Sequence, residues 1–230
     1  MKKLFAIAIV VAISATAQSQ VYVQGGVNLA NISNTSSGGV EDNHMLTTFN
    51  AGILGRLSLA TNVALESGVL LSGQGAKAET YFSDSRDDNF IKAKFNPLYL
   101  QVPANLVVKL PLQSSASIFL HAGPYAAIGI AGKTKIETNV LGNTSTSTED
   151  IEFSNDDPTT GEQEGAAYDR IKRFDYGLNF GGGVDLGAVL LKVNYGLGLA
   201  KINSTQTDNS ENDKNKYRTL SISVGIPLSR

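Results

Sequence analysis

The chain has 230 residues and a formal net charge of −2, from 19 Lys and Arg against 21 Asp and Glu. A slightly acidic chain without a basic cluster or interleaved basic and aromatic residues is a poor ligand for nucleic acid, so that class of partner is excluded. No cysteine is present, which excludes disulfides and lipidation at a cysteine.

An export signal is predicted at residues 1–19, with cleavage near residues 17–19. Two lysines precede the apolar run Leu4 to Ile13, and Ala15-Thr16-Ala17 supplies the small residues of a cleavage site. The run is too short to span a bilayer as a helix, which needs about 20 residues, and no later apolar run is longer. Residues 20–230 are then predicted to form one domain, of a length typical of a single all-β unit.

Eight segments of the chain alternate apolar and polar residues with a period of two. Lys192, for example, separates Leu191 from Val193. Side chains of a β-strand alternate between its two faces, so each segment is predicted to be a strand with one apolar and one polar face. No segment shows helical periodicity. The predicted strands cover residues 21–32, 46–60, 63–76, 94–110, 117–135, 173–186, 189–203 and 217–228.

The connections between the predicted strands alternate between short and long. Short turns are predicted at 61–62, 111–115 and 187–188, and long polar loops at 33–45, 78–93, 136–171 and 204–216. An even number of antiparallel strands with this alternation is typical of bacterial outer-membrane barrels. The chain is therefore predicted to be all-β: an eight-stranded antiparallel up-and-down transmembrane β-barrel with short periplasmic turns and long extracellular loops. Its predicted location is the bacterial outer membrane.

Charged residues on the polar face of the strands indicate which face is inside. An Arg or Lys that faced lipid near the middle of the bilayer would cost about 2–4 kcal/mol, whereas opposite charges in a narrow lumen can neutralise one another. An eight-stranded barrel is just wide enough for side chains to fill, so the lumen is predicted to be filled. The predicted lumen ion-pair network consists of Arg56, Glu66, Lys109, Asp175, Asp185 and Lys192.

Three predicted strands carry motifs of a known family. They are Phe95–Leu106 (FNPLYLQVPANL), Phe174–Leu178 with Gly181–Val184 (FDYGL and GGGV), and Asn194–Leu199 (NYGLGL) followed by Ile202-Asn203. These motifs resemble strands of the PorT-like outer-membrane β-barrel family that is common in Bacteroidetes, and the resemblance covers essentially the whole mature chain. It implies an eight-stranded outer-membrane barrel, in a family of which a few members are tied to protein secretion or gliding.

The predicted loop 136–171 is strongly acidic, with no Lys or Arg between Glu137 and Asp169. Hard cations such as Ca²⁺ bind carboxylate and carbonyl oxygens, which makes Asp156, Asp157 and Glu162 candidate metal ligands. Their spacing is not that of an EF-hand loop, and the composition favours a solvated, mobile surface loop instead. No metal site and no cofactor is predicted.

Residues with catalytic potential do not form a recognisable set. Residues 127–134 (AIGIAGKT) lack the first glycine of a phosphate-binding loop, and no helix pattern follows them. His121 is predicted to face the lumen in a neutral, hydrogen-bonded form, and His44 to lie in a loop. No nucleophile, base and orienting acid can be assembled from the sequence. No catalytic residue and no enzyme activity are predicted.

The predicted function is that of a non-enzymatic outer-membrane barrel that acts through its extracellular loops or supports an envelope or secretion assembly. Its predicted partners are outer-membrane lipid and, through loops 136–171 and 204–216, an extracellular or envelope protein. Three alternatives stay open: a small-solute channel, a membrane-embedded barrel enzyme, and a soluble lipocalin-like barrel that binds a hydrophobic ligand. The last of these requires the apolar face to point inward.

Overall fold

The computed structural model describes residues 19–33, 43–82, 89–112, 116–140, 142–154, 170–200, 202 and 215–228. The predicted signal peptide lies outside these ranges, apart from Ser19, which begins the first strand. The candidate metal ligands Asp156, Asp157 and Glu162 and most of the predicted loop 204–216 also lie outside them. No helix within these ranges is long and apolar enough to cross a membrane.

The described residues form thirteen strands. In chain order these are β1 (Ser19–Ser33), β2 (Asn43–His44), β3 (Leu46–Ala60), β4 (Val63–Gly73), β5 (Ala76–Tyr81), β6 (Asn89–Pro111), β7 (Ser117–Val140), β8 (Asn143–Asp150), β9 (Glu152–Ser154), β10 (Arg170–Lys172), β11 (Phe174–Asp185), β12 (Leu190–Gly198) and β13 (Lys216–Pro227).

Eight of the strands close into a ring, in the order β1, β3, β4, β6, β7, β11, β12, β13 and back to β1. Every neighbouring pair is antiparallel. The closing pair sets Tyr22 opposite Pro227 and Ser33 opposite Lys216. A closed ring leaves no unpaired strand edge, which a bilayer could not satisfy. The predicted eight-stranded antiparallel barrel is confirmed.

Side chains alternate around the ring between an exposed apolar surface and a buried polar interior. On β6, Val102 is 47% exposed and its neighbour Gln101 is 7% exposed. On β13, Ile222 is exposed while Ser221 and Ser223 are buried. Large apolar side chains are exposed on all eight ring strands, and together they form a lipid-facing belt. The soluble lipocalin-like alternative is therefore wrong, because it needs the apolar face inside.

Two ring strands continue well beyond the barrel on the side of the long connections. β6 and β7 contain 23 and 24 residues, and they stay paired up to Asn89 opposite Val140. β5 and β2 extend this pair on one side and β8 extends it on the other, in the order β2, β5, β6, β7, β8. We call these five strands, above the barrel, the extracellular sheet.

The extracellular sheet corrects part of the loop prediction. Residues 78–81 and 89–93 and residues 136–140 and 143–150 are strand, not loop. In β8 the sequence NTSTSTED places Thr144, Thr146 and Thr148 at alternate positions. Threonine is β-branched and favours strands, and this alternation was the signal of a strand within an otherwise polar stretch.

A glycine marks the point where β4 leaves the barrel wall and β5 begins. Gly75 has φ +121°, a conformation that other residues rarely adopt, and a Cβ at this position would collide with the carbonyl oxygen of Phe95. The backbone N–H of Gln74 donates to the carbonyl oxygen of Pro97 at 2.9 Å. This bend ends one strand and lets the next continue along β6.

Candidate functional site: the filled lumen and the extracellular sheet

The periplasmic half of the lumen is filled around one buried carboxylate, that of Glu66. Arg56 Nε donates to it at 2.8 Å, the hydroxyl of Tyr22 donates at 2.7 Å, and Lys192 Nζ donates to its second oxygen. Arg56 and Glu66 are 1% and 0% exposed. A buried charge is tolerated where it is paired and its remaining hydrogen-bonding capacity is used. Asn105 Nδ2 also donates to Glu66 Oε1 at 3.2 Å, so Glu66 meets that condition with four donors from four different strands.

A second carboxylate extends the group of charges towards the short turns. Asp185 Oδ2 lies 3.7 Å from Arg56 Nη1 and 3.9 Å from Lys109 Nζ. Asp185 Oδ1 accepts a hydrogen bond from the backbone N–H of Gly187 in the β11–β12 turn at 2.9 Å. The guanidinium of Arg56 also lies over the ring of Phe119, 4.1 Å from its centroid, a favourable cation–π contact. We call Arg56, Glu66, Lys109, Asp185 and Lys192 the charge network.

Asp175, the sixth residue of the predicted network, does not belong to it. Asp175 and Asp185 lie ten residues apart on β11, which is about 33 Å along a strand. Asp175 instead accepts a hydrogen bond from the hydroxyl of Tyr125 at 2.9 Å. The period-two pattern correctly predicted that Asp175 faces the lumen. It gave no information on height, and Asp175 lies at the opposite end of the lumen from the charge network.

A layer of amide and hydroxyl side chains fills the lumen above the charge network. Asn50 Nδ2 donates to Asn28 Oδ1 at 2.7 Å, and Asn50 Oδ1 accepts from Gln24 Nε2 at 3.1 Å and from the hydroxyl of Ser223 at 3.0 Å. Asn28 Nδ2 also donates to the hydroxyl of Ser72 at 3.1 Å. These contacts join β1, β3, β4 and β13 across the interior.

The two histidines lie at different heights. His121 is buried in the lumen, with Nε2 2.9 Å from the side-chain oxygen of Asn194. His44, predicted to lie in a loop, is in β2 of the extracellular sheet. No nucleophilic side chain contacts His121 among the hydrogen bonds of the described residues. Within the same ranges, no group of three or more His, Cys, Asp or Glu side chains is placed to hold a metal ion.

The extracellular half of the lumen is filled by aromatic and aliphatic side chains. Tyr99, Tyr125, Tyr217 and Phe95 point inward from the wall and are all buried. The rings of Tyr99 and Tyr217 pack edge to face with centroids 5.6 Å apart, a favourable aromatic geometry. Three isoleucines complete the cluster from positions between or beyond the ring strands: Ile151, Ile171 and Ile202. We call this cluster the extracellular plug.

Backbone hydrogen bonds hold the connecting segments of the extracellular plug over the mouth of the barrel. β9 and β10 pair in parallel, with Ile171 opposite Phe153. The N–H of Ile151 donates to the carbonyl of Gly132 at 3.0 Å, and the N–H of Lys172 donates to the carbonyl of Ile202 at 2.8 Å. The connection between β8 and β11 is therefore folded into the mouth in its described parts.

Sequence reasoning missed the extracellular plug because it treated the long connections as uniformly polar. The available signal was the presence of single large apolar residues in polar surroundings. Ile151, Phe153 and Ile171 all lie within the predicted loop 136–171. Exposing such side chains to water is unfavourable, so each indicates a contact with the barrel.

Residues 14–204 match the family model described as outer membrane protein beta-barrel domain. The chain belongs to this family. The match agrees with the closed ring and with its lipid-facing belt, and it places this barrel in the outer membrane. The chain matches no curated protein.

Three solved structures show partial likeness to this chain. Ail, the attachment invasion locus protein of Yersinia pestis, solved in complex with the heparin analogue sucrose octasulfate, is 14% identical with a TM-score of 0.41, covering 92% of this chain and 99% of Ail. Neisserial surface protein A is 14% identical with a TM-score of 0.38, covering 90% and 97%. The translocator domain of the Neisseria meningitidis autotransporter NalP is 10% identical with a TM-score of 0.27, covering 98% and 97%.

Proposed function

We propose that the protein is a non-enzymatic outer-membrane barrel with a closed lumen, and that its extracellular sheet carries the contact surface for a protein outside the cell or in the envelope. The observation that carries this proposal is the contrast between interior and exterior. The lumen is occupied by the charge network at one end and the extracellular plug at the other. The extracellular sheet above the lumen exposes polar strand residues to solvent.

The outer edge of the extracellular sheet supports a partner that binds by strand addition. β8 pairs with β7 on one side and lies at the end of the sheet order on the other. All eight residues of β8 are exposed. An edge strand presents backbone N–H and C=O groups to which an extended peptide can pair. The resemblance to the PorT-like family supports an envelope or secretion partner for this edge.

The experiment is photo-crosslinking on intact cells from a crosslinking residue placed at Thr148, an exposed position of β8 that stays in place when the rest of the hairpin is removed. A defined protein adduct is the expected result, and it should disappear when residues 136–147 are replaced by an Asn-Gly turn between Lys135 and Thr148. Lys135 and Thr148 are paired opposite each other, so a tight hairpin turn fits there. The shortened hairpin keeps Ile151 and Phe153 in the extracellular plug.

The matched control changes the periplasmic turn Thr61-Asn62 to Asn-Gly, which leaves the extracellular sheet untouched and should leave the adduct unchanged. A second crosslinker at Leu191, in the lipid-facing belt, should give no such adduct. Equal crosslinking with and without residues 136–147 would show that the sheet is not the contact surface. Faster migration of the unboiled protein on a detergent gel confirms that each variant is folded.

The small-solute channel is the alternative that electrophysiology tests. A lumen filled at both ends predicts no discrete conductance in a planar bilayer. Steady single-channel steps from the unaltered protein would contradict the closed lumen. A barrel enzyme needs a nucleophile and a base at its mouth, and the described part of the mouth is lined instead by the tyrosines and isoleucines of the extracellular plug.

A further inference from the structure

Lysines that are far apart in sequence lie side by side on the extracellular sheet. Lys77 on β5 is directly opposite Lys94 on β6, and Lys94 is directly opposite Lys135 on β7. Residues directly opposite each other in antiparallel strands share a face, with Cβ atoms about 5 Å apart. We call Lys77, Lys94 and Lys135 the lysine row. It continues to His44 on β2, which is opposite Lys77.

The lysine row is on the outer face of the sheet, the same face that meets lipid lower down. Phe95 is next to Lys94 and is buried in the extracellular plug, so Lys94 points the other way and is exposed. Along β6, Leu98 and Val102 lie on the same face as Lys94, and Val102 is 47% exposed in the lipid-facing belt. The lysines thus stand directly above the apolar wall.

The height of the apolar wall places the lysine row at the level of lipid head groups. Every outward residue of β6 from Leu98 to Leu110 is apolar, a distance of about 40 Å along the strand, or about 30 Å of height at a typical tilt. That span is slightly more than the belt of about 25 Å in outer-membrane barrels. The outward residues that follow Leu98 are Asn96 and then Lys94, so the polar zone begins where the hydrocarbon ends.

The charges of this face are not balanced within it. Like charges directly opposite each other destabilise a sheet, and the lysine row places three in succession. Acidic residues lie in the adjacent rows: Glu79 and Glu137 both flank Lys92, and Asp150 is 3.9 Å from Lys133. Glu137 also reaches Lys135 at 3.4 Å. The described outer face therefore carries five lysines against three carboxylates, and Lys94 stands between two lysines.

A groove of about 500 Å³ opens on the same wall just below the lysine row. The large apolar residues Phe49, Leu98 and Ile130 line its lower part, and Asn96, Lys133 and Asp150 line its upper part; Thr48, Ala131, Gly132 and Ile151 complete the lining. Asn96, Lys133 and Asp150 form one register row across β6, β7 and β8, two residues above Leu98. The groove is thus apolar towards the membrane core and polar towards the lysines.

We propose that this wall is a binding site for a phosphorylated lipid of the outer leaflet. The acyl chain lies along Phe49, Leu98 and Ile130, and the phosphate head group is bound by the lysine row together with Lys133. A bound phosphate supplies the negative charge that the row lacks. The site goes beyond the proposed partner surface, because it uses the face of the sheet and not its β8 edge.

The test is a titration of the folded barrel in detergent with short-chain phosphatidate, with bound lipid counted by native mass spectrometry. Lys94→Gln should weaken binding by about fivefold, and Lys77→Gln with Lys94→Gln and Lys135→Gln by on the order of 100-fold, as expected for lysines at an anionic lipid surface. Lys216→Gln is the matched control. Lys216 lies opposite Ser33 at the same end of the barrel but on the far side of the ring, so its loss should not change binding.

Two further measurements test whether binding requires both the phosphate head group and the acyl chains of the lipid. Phosphatidylcholine with the same acyl chains should bind no better to the unaltered barrel than phosphatidate binds to the triple variant. Inorganic phosphate should fail to displace phosphatidate at equal concentration. A triple variant that binds phosphatidate as tightly as the unaltered chain overturns the proposal, and so does full displacement by inorganic phosphate. Heat-dependent migration on a gel establishes that each variant is folded.

Discussion

The two halves of the lumen are filled by opposite chemistries. In the periplasmic half, charged side chains from β3, β4, β6, β11 and β12 converge on two carboxylates. In the extracellular half, tyrosines from the wall pack with isoleucines from the connecting segments. Among the described residues, only the second half contains side chains from outside the ring strands.

The difference reflects how each half is held in place. Ion pairs stabilise a buried site only when distance and hydrogen bonding are well defined, and the register of a closed ring fixes the height of every residue in the charge network. Connecting segments have fewer geometric constraints, and apolar contacts are non-directional. A barrel of this size can therefore bury charge where the ring strands supply every charged partner, and close its other end with aliphatic side chains.

Removing the central carboxylate breaks the charge network most severely. Glu66→Ala leaves Arg56 and Lys192 buried without their shared partner, and we expect a loss of about 3–5 kcal/mol in the free energy of unfolding. Urea unfolding in detergent, followed by circular dichroism, measures it. Asp185→Asn is the control, since the contacts of Asp185 with its two cations are longer and its loss should cost less. Equal losses for the two variants would show that Glu66 is not the centre.

Truncating the extracellular plug should have a smaller and more local effect. Ile171 is fully buried, and Ile171→Ala should cost about 2 kcal/mol, at the low end for such a change because the covering segment can open without the ring. Limited proteolysis of the folded barrel should then cut the β8–β11 connection faster. Ile222→Ala, in the lipid-facing belt, should leave the cleavage rate unchanged. Unaltered proteolysis of the Ile171 variant would mean that the segment is held by its backbone hydrogen bonds alone.

Asp175, the buried acid among the described lumen residues of the extracellular half, offers a finer comparison. Tyr125→Phe removes the hydroxyl that donates to Asp175 at 2.9 Å, and the expected loss is about 0.5–1.5 kcal/mol because the buried carboxylate loses one of its hydrogen-bond donors. Tyr176→Phe is a matched control, since Tyr176 is exposed on the lipid side of the same wall. Equal unfolding free energies for the two variants would show that Asp175 finds another donor.

The smallest effect is expected outside the lumen. Lys133 and Asp150 are 3.9 Å apart, with side chains 70% and 85% exposed, and such pairs contribute about 0–1 kcal/mol. Asp150→Asn should change the unfolding free energy by less than Asp185→Asn does. A larger loss would indicate that the hairpin of β7 and β8 stabilises the ring.

The period-two pattern was sufficient to predict the ring itself. Each predicted strand contains residues such as Val102 and Gln101 whose alternate polarity is reproduced by alternate exposure. The short turns at 61–62 and 187–188 were predicted correctly because they interrupt two strands with matching patterns. Local sequence determines these features, since the side-chain period fixes the face and the turn fixes the neighbour.

The height of each residue along the barrel axis and the contacts between distant segments could not be derived in the same way. Asp175 and Asp185 both fall on the inward face in the period-two pattern, but they lie at opposite ends of the lumen. Only the pairing of distant strands determines which inward residues meet. The same limit hid the lysine row, because Lys77, Lys94 and Lys135 are separated in sequence and become neighbours only through the registers of β5, β6 and β7. Side-chain face is a local property, whereas proximity across a sheet is set by the whole topology.

The pairing of β1 with β13 has a consequence for the order of assembly. Tyr22 and Pro227 come from opposite ends of the barrel domain and meet only when the ring closes. Contacts between distant segments form slowly, since the entropy of closing the intervening chain is lost before the contact is gained. Until β13 is in place, β1 and β12 each present an open strand edge that can pair with another chain. Arrival of the final ring strand is therefore the step at which an aggregation-prone sheet becomes a sealed cylinder.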